Sequence, residues 1–156
     1  MRPVDPGHFR SVMGNFATGV TVVTATGDAG PVGMTANAVA SLSLEPLLLL
    51  VAFDNTARTL QVVRGTGRFG VNVLGAGQEE LARLFASKAP EDAKFAGVPH
   101  TVHDGLPVLD GTIAWVGCRL ERLVEGGDHT IGIGAVESAE AGDGRPLLWF
   151  RGTYRS

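Results

Sequence analysis

Residues 111–155, GTIAWVGCRLERLVEGGDHTIGIGAVESAEAGDGRPLLWFRGTYR, decide the fold of this chain. Their apolar and β-branched residues predict three strands, at 111–125, 129–141 and 147–155. The links between these strands, Gly126-Gly127 and 142–144, are short and rich in glycine. Because links of this kind join antiparallel neighbours, the last third of the chain is predicted to be an antiparallel meander.

The rest of the chain supplies further strands and a few short helices. Alternating or β-branched segments predict strands at 20–25, 32–36, 47–53 and 68–74. The spacing of apolar residues predicts helices at 6–16, 55–63 and 78–87. Asp5 and Pro6 have the residue types of a helix N-cap and first helical position, and Asp54 or Asn55 is expected to cap the second helix.

Strands that are joined mainly by hairpins favour one fold class. About six such strands with a few short helices predict a mainly β protein, a small antiparallel barrel, since a doubly wound parallel sheet needs a helix after nearly every strand. The segment 87–106 is longer than loops in compact domains usually are. This length indicates a lid or an arm between subunits.

Composition and charge indicate one globular domain, residues 1–156, and exclude several kinds of partner. The chain is 44% hydrophobic and 19% charged, as is typical of a domain with a sizeable core. A net charge of -3 without a Lys/Arg cluster argues against nucleic-acid binding. The longest apolar run, 46–53, is too short to cross a bilayer, and residues 1–10 carry no signal-peptide pattern, so a cytoplasmic protein is expected.

Candidate metal ligands and nucleotide motifs are few. Cys118 is the only cysteine and lies in a predicted strand, which favours an inert buried thiol. His100 and His103 have a spacing that occurs in zinc sites, but a solvated loop is the better interpretation, and no metal is predicted. Residues 65–70, GTGRFG, match a dinucleotide-binding motif in letters only, because they follow a predicted helix and open a strand.

Small polar residues are concentrated at 33–46, GMTANAVASLSLEP, just before the most apolar predicted strand. Hydroxyl and amide groups on extended backbone suit a flat heterocycle with carbonyls and ring nitrogens, which apolar walls would bury. The alternative is a polar edge strand and turn whose hydroxyls satisfy local backbone groups. The candidate side chains are those of Thr35, Asn37, Ser41 and Ser43.

Residues 54–59, DNTART, lie where the same apolar strand gives way to a predicted helix. Free backbone N–H groups, hydroxyls and one arginine have the chemistry of a phosphate site. Ordinary N-capping is the alternative interpretation. Because the two polar segments flank one strand, they are expected to hold a ring and a phosphate of the same molecule.

Several motifs together resemble the flavin reductase-like family, small NAD(P)H:flavin oxidoreductases that feed reduced flavin to two-component monooxygenases. The matching segments are 9–25 FRSVMGNFATGVTVVTA, 33–46 GMTANAVASLSLEP, 69–74 FGVNVL, 94–98 KFAGV, 127–140 GDHTIGIGAVESAE and 146–154 PLLWFRGTY. The resemblance implies an FMN-binding split barrel and a homodimer. It also implies bound FMN or FAD, NADH or NADPH as co-substrate, and a partner oxygenase that receives reduced flavin.

The resemblance also implies which residues contact the flavin. The isoalloxazine ring would lie against Thr35, Ala36, Asn37 and Ser41. Phosphate would be held by the turn that contains Asn55, Thr56, Arg58 and Thr59. Further flavin contacts are implied for Met34, Ser87, Lys88 and Tyr154.

His129 would position the nicotinamide, as its motif does in relatives, because hydride passes between the two cofactors and the protein supplies their proximity. The alternative is that His129 pairs with Asp128 or caps the turn. Gly132 and Gly134 are expected to leave one strand face clear for another backbone. Two other functions on the same fold remain: flavin binding without turnover, and a pyridoxamine-phosphate-oxidase-like activity, whose expected Arg/Lys cluster is missing from the sequence.

Overall fold

Twelve strands and four short helices make up the computed structural model, which describes residue 1 and residues 3–156. The helices are α1 (Pro6–Met13), α2 (Arg58–Thr66), α3 (Glu79–Ala86) and α4 (Glu91–Phe95). The first six strands are β1 (Thr18–Gly19), β2 (Thr21–Gly27), β3 (Gly30–Ala36), β4 (Val39–Leu44), β5 (Leu47–Asp54) and β6 (Arg68–Val73). The others are β7 (His100–His103), β8 (Leu106–Leu109), β9 (Ala114–Gly126), β10 (His129–Ala141), β11 (Leu148–Phe150) and β12 (Thr153–Arg155).

Seven of these strands form one antiparallel sheet in the order β3-β2-β6-β9-β10-β5-β4. Its edge strands, β3 and β4, are linked by only two residues, 37 and 38. A core of valines and aromatic residues lies on the inner face, where the rings of Phe53 and Phe69 meet edge to face at 5.9 Å. The mainly β class with short helices is therefore confirmed.

The predicted hairpins are present, but the last strand is placed differently. β2 pairs with β3, and β9 pairs with β10 around the turn at Gly127. The predicted strand 147–155 is instead a hairpin of β11 and β12, which joins β1 in a separate small sheet. The second neighbour of β10 is β5, so the predicted three-strand meander is wrong after β10.

Two helices begin or end differently from the predictions. α1 ends at Met13 because Gly14 closes it, so residues 14–16 form a turn. Its N-terminus is as predicted: the Asp5 carboxylate accepts the backbone N–H of His8, and Pro6 is the first helical residue. α2 begins at Arg58, three residues later than expected, and its N-cap position is Ala57.

The segment 87–106 has regular structure of its own. It contains α4 and β7, and β7 pairs with β8 in a second small hairpin. Asp104 and Gly105 connect the two strands with positive φ angles of 50° and 79°. α4 packs on β3, so part of the segment covers the edge of the main sheet.

Gly132 and Gly134 face aromatic rings, and the expected contact with another backbone is wrong. A Cβ atom at Gly132 would lie 2.8 Å from the Phe53 ring, and one at Gly134 would lie 2.6 Å from the Phe69 ring. The two buried rings therefore occupy the space that side chains at Gly132 and Gly134 would otherwise fill.

Candidate active site

A cavity of about 450 Å³ lies where β5 ends, between β3, the start of α2 and the α3–α4 connection. It is lined by Gly33, Met34, Thr35, Asp54, Thr56, Ala57, Arg58, Thr59, Phe85, Ala86, Ser87, Lys88, Glu91 and Lys94. Seven of the predicted flavin-contacting residues therefore meet in one place: Met34, Thr35, Thr56, Arg58, Thr59, Ser87 and Lys88.

One end of this cavity is suited to an anion. Ala57 at the N-cap of α2 offers no side-chain acceptor, so the first N–H groups of the helix lack a side-chain cap. The Thr59 hydroxyl in the first turn is buried and has no hydrogen-bond partner among the described residues. Arg58 and Lys88 add exposed positive charge. A bound phosphate would accept a hydrogen bond from the Thr59 hydroxyl, and the positive charges of Arg58 and Lys88 would attract it.

The Asp54 carboxylate holds the turn that precedes α2 at this end of the cavity. Its Oδ1 accepts the Thr56 backbone N–H at 2.8 Å and the Thr56 hydroxyl at 2.6 Å. These two hydrogen bonds, with smaller contributions from His129 and Lys88, hold the pKa of Asp54 below its usual range. Asp54 thus closes a local turn, which explains why it does not cap α2 as expected and why the helix starts later.

His129 lines neither cavity, but it lies beside Asp54, which lines the first. It is the first residue of β10 and pairs in register with Asp54, the last residue of β5. Its Nδ1 lies 2.7 Å from Asp128 Oδ1, and its ring is partly exposed. The pairing with Asp128 that the sequence left open is therefore present, and it leaves Nε2 as the ring nitrogen for a further partner.

A second, larger groove of about 1010 Å³ lies beyond the link between β3 and β4. It is mostly apolar, and most of its walls come from α1, residues 14–19, β4, β5 and β10. Asn37 and Ala38 open toward this groove. Within the predicted ring-binding segment, Thr35 therefore faces the first cavity and Asn37 the second.

Some predicted contact residues have partners within the protein or lie outside both cavities. The Thr35 hydroxyl donates to the carbonyl of Ala82 at 2.6 Å, and Ala36 is buried in the core. Ser41 is exposed on β4, and it lines neither cavity. Tyr154 lines neither cavity, but it packs against Trp149 of the second groove with 4.8 Å between ring centroids, and burial raises its pKa.

A model of the "Flavin reductase like domain" matches residues 13–156. The chain belongs to this family. The reductase subunit HsaB of a flavin-dependent monooxygenase from Mycobacterium tuberculosis is 42% identical over 155 residues, covering 97% of this chain and 82% of that protein. An NADH-dependent flavin reductase from a Rhodococcus species is 38% identical over 156 residues, covering 98% of this chain and 87% of that protein.

A solved structure with the same fold holds ligands. The Streptomyces globisporus NADH:FAD oxidoreductase SgcE6, in complex with NAD and FAD fragments, superposes with a TM-score of 0.92 at 39% identity. The match covers 100% of this chain and 96% of that one. This flavin reductase therefore has the split-barrel fold that the resemblance implied, and its activity is that of an NAD(P)H:flavin oxidoreductase.

Among the cavity residues that the sequence did not predict are two charged ones, Lys94 and Glu91. Lys94 is buried, and its Nζ lies 3.4 Å from both Glu91 Oε1 and the Gly33 carbonyl. Glu91 Oε2 also accepts the Gly33 backbone N–H at 3.2 Å. The pair thus fixes α4 to β3 along the cavity wall. The KFAGV motif contained the available signal, a lysine directly beside apolar residues.

Three other features of the reductase bear on its chemistry. Cys118 is buried, and burial raises its pKa to about 12, so it is the inert thiol that was predicted. Within residues 1 and 3–156, no group of three or more His, Cys, Asp or Glu side chains is arranged to hold a metal ion. In that same part of the chain, no helix is long and apolar enough to cross a bilayer.

Proposed function

We propose that this chain transfers hydride from NADH to FAD or FMN and supplies the reduced flavin to a partner monooxygenase. One observation supports the proposal: the start of α2, which is suited to an anion, and the hairpin of His129 meet where Asp54 pairs with His129. A candidate phosphate site and a candidate nicotinamide site would thus be adjacent. The names of the relatives, an NADH-dependent flavin reductase and a monooxygenase reductase subunit, support the same assignment.

The residues of the first cavity fit a flavin phosphate. Thr59 and the N–H groups at the start of α2 would donate to phosphate oxygens, and Arg58 and Lys88 would balance the negative charge. Thr56 lines the same cavity, but its hydroxyl already donates its only proton to Asp54 and so is not a donor to phosphate. When bound, the flavin supplies a ring nitrogen that accepts hydride.

His129 would orient the nicotinamide rather than transfer a proton. The Asp128 carboxylate holds its Nδ1 and so leaves Nε2 for a nicotinamide amide group. Hydride transfer between two bound ligands depends chiefly on their alignment, so a positioning contact of this kind supports the rate without acid–base chemistry.

The chain would act as a homodimer in the cytoplasm, with residues 1–156 as a single domain. The apolar groove near α1 supports dimerisation, because a second copy would cover its exposed side chains. Asn37, at the edge of the groove, would then contribute to a flavin site completed at the dimer interface.

Anaerobic oxidation of NADH and NADPH, each with FAD, FMN and riboflavin, tests this function. We expect faster oxidation with NADH than with NADPH, turnover with FAD and FMN, and reduced flavin that passes through a membrane retaining the protein. Flavin binding without NADH oxidation would instead indicate a flavin-binding protein that has no turnover.

A further inference from the structure

Asn55 makes three hydrogen bonds to the β9–β10 hairpin, two to its turn and one to the start of β10. Its backbone N–H donates to the carbonyl of Asp128 at 3.0 Å, and its Nδ2 donates to the carbonyl of Gly127 at 3.2 Å. Its Oδ1 accepts the hydroxyl of Thr130 at 2.6 Å. The Asn55 side chain does not line the cavity. Both ends of its carboxamide are therefore engaged with the hairpin that carries His129.

The turn depends on these contacts because it has little burial of its own. Gly127 and Asp128 form a two-residue loop, and both are exposed. Thr130, one residue beyond His129, is buried, and its hydroxyl meets Asn55. Exposed loops with few packed side chains open most readily, so the hydrogen bonds from Asn55, added to the pairing of His129 with Gly126 and Asp54, limit the motion of this turn.

On the other side, Asn55 is continuous with the phosphate-binding loop. Asp54 precedes it, and Thr56 follows it in the turn that Asp54 closes. Arg58 and Thr59 begin α2 immediately afterwards. A ligand that restrains this loop therefore also restrains Asn55 and, through its hydrogen bonds, the turn beside His129.

We propose that Asn55 is a positioning residue that joins the flavin-phosphate loop to the nicotinamide hairpin, so that the two ligands bind with coupled affinities. This inference rests on the proposed function, and it differs from the role that the resemblance implies, direct phosphate binding by Asn55. Coupling of this kind is reciprocal: flavin tightens nicotinamide binding by the same factor as nicotinamide tightens flavin binding.

The test measures binding without turnover. The dissociation constant of NAD⁺ is measured by calorimetry with and without saturating oxidised FMN, for wild type, Asn55→Ala, Thr130→Val and the double variant. Thr130→Ser keeps the hydroxyl and serves as the conservative variant. Thr112→Val is the matched control, because Thr112 is partly buried and its hydroxyl donates to the Leu109 carbonyl away from both cavities.

We expect FMN to tighten NAD⁺ binding by about tenfold in wild type, Thr130→Ser and Thr112→Val, within the usual range of coupling between sites. In Asn55→Ala and Thr130→Val this factor falls toward one, and the KM for NADH rises while FMN affinity in the absence of NAD⁺ stays within about twofold. In the double variant this factor falls little further than in Asn55→Ala, since both single changes remove the same hydrogen bond between Asn55 and Thr130.

Two results would overturn the inference. The first is NAD⁺ affinity that is independent of FMN in wild type. The second is an Asn55→Ala variant that binds FMN weakly but keeps the wild-type coupling factor, as a direct phosphate ligand would. If Asn55→Ala does not fold, Thr130→Val and Thr130→Ser are compared instead. A Thr130→Val variant that keeps the wild-type coupling factor would then overturn the inference. Failure of the wild type to oxidise NADH with flavin would count against the proposed function and leave the coupling measurement valid.

Discussion

The unpaired hydroxyl of Thr59 is the most direct argument for a bound phosphate. A buried hydroxyl without a partner destabilises the folded state by about 1–3 kcal/mol, so its retention favours a role in binding. Thr59→Val should leave the ligand-free protein equally or more resistant to heat and weaken FMN binding about tenfold or more. Fluorescence titration and thermal unfolding measure the two effects.

Riboflavin and a second threonine supply the controls for Thr59→Val. Riboflavin has no phosphate, so its affinity should be the same for wild type and variant. Thr66→Val in the same helix removes an exposed hydroxyl that donates to the Val62 carbonyl, and it should leave FMN affinity unchanged. Equal FMN affinity in wild type and Thr59→Val would rule out phosphate binding by this hydroxyl.

His129→Ala should separate nicotinamide positioning from acid catalysis. Loss of one positioning contact should raise the KM for NADH and slow hydride transfer, a cost of about 1–3 kcal/mol, while flavin affinity stays unchanged. If His129 were an obligate acid, the variant would instead lose turnover even at saturating NADH. Stopped-flow reduction with varied NADH distinguishes these outcomes.

His103→Ala is the matched control, because His103 is an exposed histidine on the separate β7–β8 hairpin. It should behave as wild type. A His129→Ala variant with wild-type KM and wild-type reduction rate would contradict the positioning role.

Local sequence patterns predicted part of the site. The other site residues owe their positions to contacts between segments that are distant in sequence. Thr59 and Arg58 were predictable because hydroxyls and a cation at the start of a helix are a local pattern. The engagement of Asn55 was not, since its side-chain partners lie more than 70 residues away in sequence. Lys94 was missed for a similar reason: its partner Gly33 belongs to a different element.

At the scale of elements, the packing of β10 makes a prediction about stability. Gly134→Ala would place its Cβ 2.6 Å from the Phe69 ring and 2.7 Å from the Cβ of Cys118. Overpacking of this kind should lower the free energy of unfolding by about 1–3 kcal/mol. Urea unfolding measures the change.

Gly65→Ala is the control for this substitution. Gly65 lies in α2, and a Cβ there would meet nothing within 4 Å. Alanine is the better helix former, so this variant should be as stable as wild type or more stable by up to about 1 kcal/mol. Equal stability of Gly134→Ala and wild type would mean that β10 can move away from the Phe69 ring.

The elements that the sequence predicted well were those with β-branched or apolar residues bounded by glycine-rich turns. These residues marked β2, β3, β9 and β10, whereas two hairpins were missed at their turns. Arg151 and Gly152 both have positive φ, the geometry of a tight hairpin turn, but arginine is not a usual residue there. Asp104-Gly105 is a strong hairpin signal, and it was overlooked because residues 87–106 were interpreted as one long loop.

For the whole molecule, the exposed apolar side chains predict a homodimer. Phe9, Val12, Met13 and Phe16 are 47–69% exposed near the apolar groove, an arrangement that a monomer in water would not favour. Light scattering should give twice the mass of one chain at micromolar concentration. Phe9→Glu should shift this mass toward that of a monomer, because a buried unpaired charge opposes association.

Val102→Glu is the matched control, since Val102 is an equally exposed apolar residue on β7, outside the groove. It should remain dimeric. A monomeric wild type would remove the prediction. If residues 1–156 are one domain, thermal unfolding should also show a single transition whose midpoint rises with protein concentration.

The turn between β9 and β10 has only two residues, and β10 is paired on both sides. A third residue here would have to be accommodated by the loop itself, because a slip of β10 by one residue would make each of its side chains exchange faces of the sheet. Ile131 and Ile133 would then be directed at the space that Phe53 and Phe69 fill. A longer loop is therefore compatible with this fold only if it leaves the pairing of β10 with β5 and β9 unchanged.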